Sequence, residues 1–293
     1  MGLNCIFEQK KCRNCLDKQG IPDIMLLYTL SSRSERSHFE EEITMKKIAA
    51  LVLALVLALC AVSALAEGKT WVIKTDTAFR PFEWTDETGT LVGIDIDVLA
   101  AIAADQGFDY TIESIGWDAS IAACQAGQAD GMIAGASITE ERKANGWIFS
   151  DGYYDATQSM AVAAGSDITG FEALQGQAVS AKIGSMSYEY ATSLSETYGF
   201  TVQGYESSPD VYQAVISGAA VACFDDTPIM ADYIKSNGLP LQLVDGTANE
   251  PAQYGFAIFN ADNQELIDMF NAGLANIKAN GTYDEILAKY LGE

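Results

Sequence analysis

From residue 70 onward the apolar positions switch repeatedly between a period of two and a period near 3.6. TWVIKTD (70–76) ends an apolar stretch on a polar tip and predicts a strand. GIDIDVLAAIAADQG (93–107) puts Ile94, Val98 and Ile102 on one face and stops at Gly107, which predicts a helix. FDYTIESI (108–115) reads as a strand, DASIAACQAG (118–127) as a short helix and ADGMIAG (129–135) as a buried strand. Ser137-x-x-Glu140 has the form of a capping box and opens a short helix that carries Arg142.

A second series follows. MAVAAGS (160–166) and QAVSAKIG (177–184) predict strands, SYEYATSLSETYG (187–199) a helix, FTVQGY (200–205) a strand. SPDVYQAVISG (208–218) predicts a helix with Pro209 in its first turn, and AVACFDD (220–226) a buried strand. PIMADYIKSNG (228–238) reads as a helix, LQLVD (241–245) and QYGFAIF (253–259) as strands, and 263–281 and 282–291 as closing helices. This alternation predicts an α/β fold of mostly parallel sheets flanked by helices. QAGQADGMIAGAS and ISGAAVACFDDT share one plan: helix, glycine stop, apolar strand, polar cluster. Ligands of open α/β sheets bind beyond the carboxyl ends of the strands. Two such ends, in two series, predict two lobes facing one cleft.

The 293 residues are 49% hydrophobic and 19% charged, enough for one large or two modest cores. A net charge of −23 argues against nucleic acid and anionic membranes as partners. From Met45 the chain has the order of a signal peptide: Lys46 and Lys47, an apolar run over 48–62, and an A-x-A site at 64–66. An apolar run of about 15 residues is shorter than the roughly 20 that a membrane-spanning helix needs. Residues 45–66 are therefore expected to direct export to the periplasm or the outer face of the cytoplasmic membrane, with cleavage after Ala66. A lipid anchor at Cys60 is the alternative, disfavoured by the large Leu59 before it. Residues 1–44 precede that signal and are expected to be an upstream extension without function. They hold Cys5, Cys12, Cys15 and His38, and Cys12-x-x-Cys15 has no second pair at zinc spacing.

Past residue 66, 9 cations face 33 carboxylates, a net charge of −24, and there is no histidine. That removes Ser-His-Asp and Cys-His catalysis and most catalytic zinc sites. No cofactor or metal is expected. Cys124 and Cys223 lie in apolar settings and read as small buried residues, not as a disulfide framework.

TDTAFRPFEW, LVGIDIDVLAAIA, GASITEERK, FSDGYY, CFDDTP and NGTYDEILAKYL follow one another in that order. With these motifs the chain resembles, over essentially all of 69–291, the polar amino-acid solute-binding proteins of bacterial ABC importers, with a lean to the glutamine-binding branch. The resemblance implies a two-lobed Venus-flytrap fold of the type II periplasmic-binding-protein kind. Lobe 1 would comprise 67–153 and 254–293, lobe 2 would comprise 154–253, and the two hinge crossings would fall near 153–157 and 251–255. It also implies a monomeric, non-enzymatic protein that captures an amino acid, closes, and delivers it to an ABC permease with its ATPase.

A zwitterionic amino acid brings a carboxylate and an ammonium, and neither can be buried unpaired. Arg142 offers a planar fork for the carboxylate, with the backbone N–H of Ser137, read as a helix N-terminus, as a further donor. Asp226 takes the ammonium, helped by the Gly135 carbonyl and the Ser137 hydroxyl. Phe79 and Trp117 stack on the ligand side chain. Asp76 and Lys182, which match the positions that hold the side-chain amide in the glutamine-binding relatives, meet its variable end with Asp225 and Met186. Plainer alternatives stand beside these roles: a surface ion pair for Arg142, a helix N-cap for Asp226, core packing for Phe79 and Trp117, and a direct Asp76–Lys182 pair across the closed cleft. A neutral polar amino acid, glutamine first, is the expected ligand. Asp225 stands where close relatives have histidine and Met186 where they have glycine. The extra carboxylate makes arginine, ornithine or histidine the runner-up. Two other functions remain open on the same fold: a cyclohexadienyl or arogenate dehydratase-like enzyme, needing a carboxyl general acid such as Asp225, and an amino-acid sensor module.

Overall fold

Two five-stranded sheets organise residues 68–292, the part of the chain that the computed structural model describes. The upstream extension 1–44, the signal segment 45–66 and Cys60 lie outside the described residues. The first sheet runs Tyr110–Ser114, Trp71–Thr75, Gly131–Met132, Ala257–Ile258, Ile148–Phe149. The second runs Thr201–Tyr205, Ala178–Lys182, Ala222–Asp226, Gln158–Ala163, Leu241–Leu243. In each, the fourth strand in this order opposes the other four, so both sheets are mostly parallel.

Both faces of each sheet are covered, which is why these strands read as apolar runs. In the second sheet Ala222 and Phe224 pack with Met160, Val162 and Val179, while Cys223 turns to the opposite face with Ala161. In the first, Ile73 and Ile258 point one way and Met132 and Ala257 the other. One apolar cluster joins the two layers, setting Ile73, Phe82 and Leu99 with Val211, Tyr212 and Ile229. Cys124 and Cys223 are buried and free, as their surroundings predict, and burial pushes the Cys124 thiol up to about 12.

The helices begin and end on the signals the sequence carries. Ser185 caps Met186–Tyr198 by accepting from Tyr188 N–H, and Gly199 ends it at φ 71. Ser207 caps Ser208–Ile216, with Pro209 in the first turn. Gln264–Ala279 crosses Ile94–Gln106 closely at Gly273, where an added Cβ would meet Ile102 Cγ2 at 2.8 Å. The chain passes from the first sheet to the second through Tyr154–Ala156 and returns through Ala252–Tyr254, and these two segments pair antiparallel.

Three features differ from the expectations. Ala78–Phe79, Glu83–Thr85 and Leu91–Val92 form a small antiparallel sheet of their own. QYGFAIF divides into Ala252–Tyr254 and Ala257–Ile258, because the first part pairs with the other crossing segment and the second joins the first sheet. Ser137 is not the cap of the Arg142 helix. That helix is Glu140–Ala144, and Thr139 Oγ1 accepts from Arg142 N–H. Residues 136–138 are held extended against the returning segment by Ile138 N–H to Gln253 O at 2.7 Å and Gly255 N–H to Ala136 O at 2.9 Å. Ser137 therefore bridges Tyr254 and lends no helix N-terminus. Among the described residues no helix is long and apolar enough to cross a membrane.

Candidate functional site

The carboxyl ends of strands from both sheets converge. Asp76 follows Trp71–Thr75, and Lys182 and Asp226 are the last residues of Ala178–Lys182 and Ala222–Asp226. Ala134, Gly135 and Ser137 follow Gly131–Met132. Between them lies a small cavity. Phe79, Trp117, Gly135, Ser137, Arg142, Lys182, Met186, Asp225 and Asp226 all line it. Asp76, the tenth residue singled out in the sequence, stands behind Lys182 and pairs with it through Oδ2.

Arg142 is 7% exposed. Its Nη1 donates to Ser137 O at 3.0 Å and its Nη2 to Gly184 O at 3.3 Å. The guanidinium carbon lies 5.2 Å from the Trp117 ring centre and 5.1 Å from that of Trp147. Burial lowers its pKa, opposed by the charges of Glu189 and Asp226, yet a guanidinium stays protonated under any such shift. Among the described residues it makes no ion pair, whereas its neighbour Lys143 pairs with Glu140 at 2.8 Å on the surface.

Asp226 is 5% exposed and also lacks an ion pair among the described residues. Its Oδ1 accepts from Gln158 Nε2 at 2.8 Å and Ser187 Oγ at 2.9 Å, and its Oδ2 accepts from the Tyr254 hydroxyl. Burial raises its pKa, while these donors and the Arg142 charge lower it. It occupies the N-cap position of Thr227–Asn237 but makes no side-chain cap bond. Asp225 is differently placed. Its Oδ2 accepts from Tyr212 OH at 2.7 Å and its Oδ1 from Asp226 N–H at 2.8 Å, so both oxygens are engaged within its own layer. Burial, and then the Asp226 charge, push Asp225 up to about 6.

At the other end Lys182 Nζ sits 5.0 Å from the Phe79 ring centre and 5.5 Å from that of Trp117. Trp117 Nε1 donates across the cavity to Gly184 O at 3.2 Å. Gly135, at φ 55, carries no Cβ because one would lie 2.5 Å from Phe79 Cε1. Outside the cavity two further contacts tie the layers together: Arg80 to Asp232 at 3.0 Å and Tyr233 OH to Ala78 O at 3.3 Å. Two lining residues have no charge or ring to mark them in the sequence, Ala134 and Ser185. Ser185 is the N-cap of Met186–Tyr198, so the start of that helix faces the cavity. The Gly184-Ser185 step before the helical pattern is the signal for it.

Residues 71–293 match the model of the bacterial extracellular solute-binding proteins, family 3, and the chain belongs to that family. It is 29% identical over 236 residues to the arginine-binding periplasmic protein of Mannheimia haemolytica, covering 80% of this chain and 94% of that one. It is similar to a solved ancestral arginine-binding protein bound to glutamine, at 35% identity and a TM-score of 0.70 over 76% of this chain and 98% of that one. It is also similar to the ancestral amino-acid-binding protein AncCDT-1, described as a precursor of cyclohexadienyl dehydratase, at 32% identity and a TM-score of 0.67 over 75% of this chain and 95% of that one.

Proposed function

We propose that this family-3 solute-binding protein captures one free amino acid by its α-carboxylate and α-ammonium together, and presents it to an ABC permease and its ATPase. The observation that carries this reading is the pair Arg142 and Asp226, two buried opposite charges from the two layers, each held by neutral partners only. A buried charge left with neutral partners is costly. A zwitterion supplies both counter-charges in one molecule. The carboxylate would lie between the Arg142 fork and the start of Met186–Tyr198, where helix N–H groups and dipole favour an anion. The ammonium would meet Asp226.

For the side chain we infer a neutral polar group, glutamine first. Asp76 and Lys182 present one acceptor and one donor side by side, which an amide complements with its NH₂ and its oxygen. A cationic side chain meets the Lys182 ammonium. The second reading is a dibasic ligand, favoured by the Asp225 carboxylate in the lining and by the name of the Mannheimia relative.

Residues 67–153 with 254–293, and 154–253, are the two lobes in this reading, hinged at the paired segments Tyr154–Ala156 and Ala252–Tyr254. The signal segment 45–66 would bring the protein out of the cytoplasm as a monomer without catalytic activity. A thermal-shift screen against all the amino acids tests the proposal. A ligand at about 100 times its dissociation constant adds roughly 2.7 kcal/mol, and no shift with any amino acid sinks it. Turnover of arogenate or prephenate by the same sample would replace it with the dehydratase reading, in which Asp225 is the acid.

A further inference from the structure

Beneath the Gly135 turn lies a set of polar groups that do not line the cavity. Glu83 and Asp95 are fully buried and Tyr153 is 2% exposed. Both Glu83 carboxyl oxygens, Asp95 Oδ1 and the Tyr153 hydroxyl lack a partner of good hydrogen-bond geometry. Yet Asp95 stands next to both Glu83 and Tyr153, near enough for side-chain hydrogen bonds to influence the ionisation of all three. Asp95 Oδ2 is committed elsewhere: it accepts from Gly135 N–H at 2.9 Å. The backbone keeps the two carboxyls together. Asp95 N–H donates to Phe82 O at 3.0 Å, and a Cβ on Gly93 would lie 1.9 Å from that same oxygen, so the start of Ile94–Gln106 is pressed onto Glu83–Thr85.

Two carboxylates side by side in a dry site cannot both be ionised. One proton between them converts an unsatisfied pair into a donor and an acceptor, and the phenol supplies a second donor. We propose that Glu83 and Asp95 share a single proton and act as positioning residues for the binding site. Glu83 donates to Asp95 Oδ1 and Tyr153 donates to the same carboxylate. Asp95 Oδ2 then stays fixed as the acceptor for Gly135 N–H and sets the turn that lines the cavity. The proposal rests on the amino-acid reading only through the place of Gly135 against the ligand.

The surroundings agree. Burial is the first cause that raises Glu83, followed by the charges of Asp95 and Asp76, with Lys182 opposing. Asp76 and Lys182 are paired, so their effects on Glu83 largely offset one another. Asp95 is pushed by burial up to about 6, against hydrogen bonds from Tyr153, Gly135 and Glu83. Tyr283 and Tyr254 are the other titratable groups beside Tyr153, and Tyr153 N–H donates to Tyr254 O at 2.9 Å. The same proton thus braces the binding turn and the entry to the crossing segment. A carboxyl whose folded pKa is raised stabilises the fold fully below its unfolded value, near 4.3, and that contribution is lost as pH rises through the folded value.

Three readouts on the full chain test this, using Glu83→Gln and Asp95→Asn, each of which removes one of the two carboxyls that share the proton while keeping the size of the group. Ligand-free thermal unfolding from about pH 5 to about pH 9 should show the wild type losing stability relative to both variants as pH rises. Infrared spectra near neutral pH should show a protonated-carboxyl band in the wild type that Glu83→Gln removes. Calorimetry with L-glutamine, and L-arginine in parallel, should show wild-type affinity falling at least tenfold over that range and Glu83→Gln changing less than about threefold. Parallel unfolding curves, or an infrared band unchanged in Glu83→Gln, overturn the shared proton. A lost band with parallel binding profiles overturns the positioning role. If no amino acid binds at all, the first two readouts still decide on the proton, and the failure belongs to the proposed function. If Glu83→Gln does not fold, Asp95→Asn and the wild-type band decide.

Discussion

At one end of the cavity Asp76 and Lys182 neutralise each other, while at the other Arg142 and Asp226 stay apart, each held by neutral partners. All four are nearly inaccessible to water. The paired end is complete in itself and can favour a ligand only by shape and by the direction of its donor and acceptor. In the proposed function the unpaired end gains a counter-charge when an amino acid arrives. Affinity should therefore reside with Arg142 and Asp226, and discrimination with Asp76 and Lys182.

The largest effect expected from breaking this division is at Arg142. Arg142→Ala should cost at least about 3 kcal/mol, more than 100-fold, for every amino acid that binds, because all share the carboxylate. Arg142→Lys should also lose more than tenfold, since a point charge does not reproduce the fork. Calorimetry that finds either variant within threefold of wild type removes Arg142 from the carboxylate role. Asp226→Asn should come next, at about 2 kcal/mol or roughly 30-fold, read by the same titration.

Lys182→Gln sharpens the comparison at the other end. It leaves Asp76 without its counter-charge and should move preference from glutamine towards arginine by about tenfold, near 1.4 kcal/mol. An unchanged ratio of the two dissociation constants would place discrimination elsewhere. Asp225 supplies a pH prediction. Burial raises it to about 6, so the folded state binds a proton more tightly than the unfolded chain does. Stability it contributes below about pH 4 is lost as pH rises through about 6, and Asp225→Asn should flatten that part of the melting curve against pH. The smallest effect is at Lys143, whose exposed pair with Glu140 contributes at most about 0.5 kcal/mol. Lys143→Ala should leave both melting temperature and affinity essentially unchanged.

Adjacent residues show what the sequence makes legible. Charged residues at the ends of apolar strands, such as Lys182 and Asp226, announce themselves because the run before them predicts a buried strand and a charge there needs a reason. Helices with a full apolar face and a glycine stop, such as Ile94–Gln106, read within a residue. Ala78–Phe79 and Leu91–Val92 are two residues long and carry no period to read. The displaced cap at Thr139 depends on a pairing with Gln253 and Gly255, more than 110 positions away, which no local pattern contains. Asp95 looks from the sequence like a favourable acidic residue in a helix's first turn. Only the packing of Glu83 and Tyr153 around it reveals a buried carboxyl pair. Ala134 and Ser185 have no charge at all, and their place in the lining follows from where the chain turns.

The division between the two ends is tested most directly by one calorimetric series on the wild-type protein: L-glutamine, the analogue lacking its α-carboxylate, and the analogue lacking its α-ammonium. Glutamine should bind, and each analogue should bind at least about 100-fold more weakly, a loss near 2.7 kcal/mol, since each leaves Arg142 or Asp226 buried without a counter-charge. An analogue that binds within tenfold of glutamine would mean that the unpaired charges do not hold the ligand.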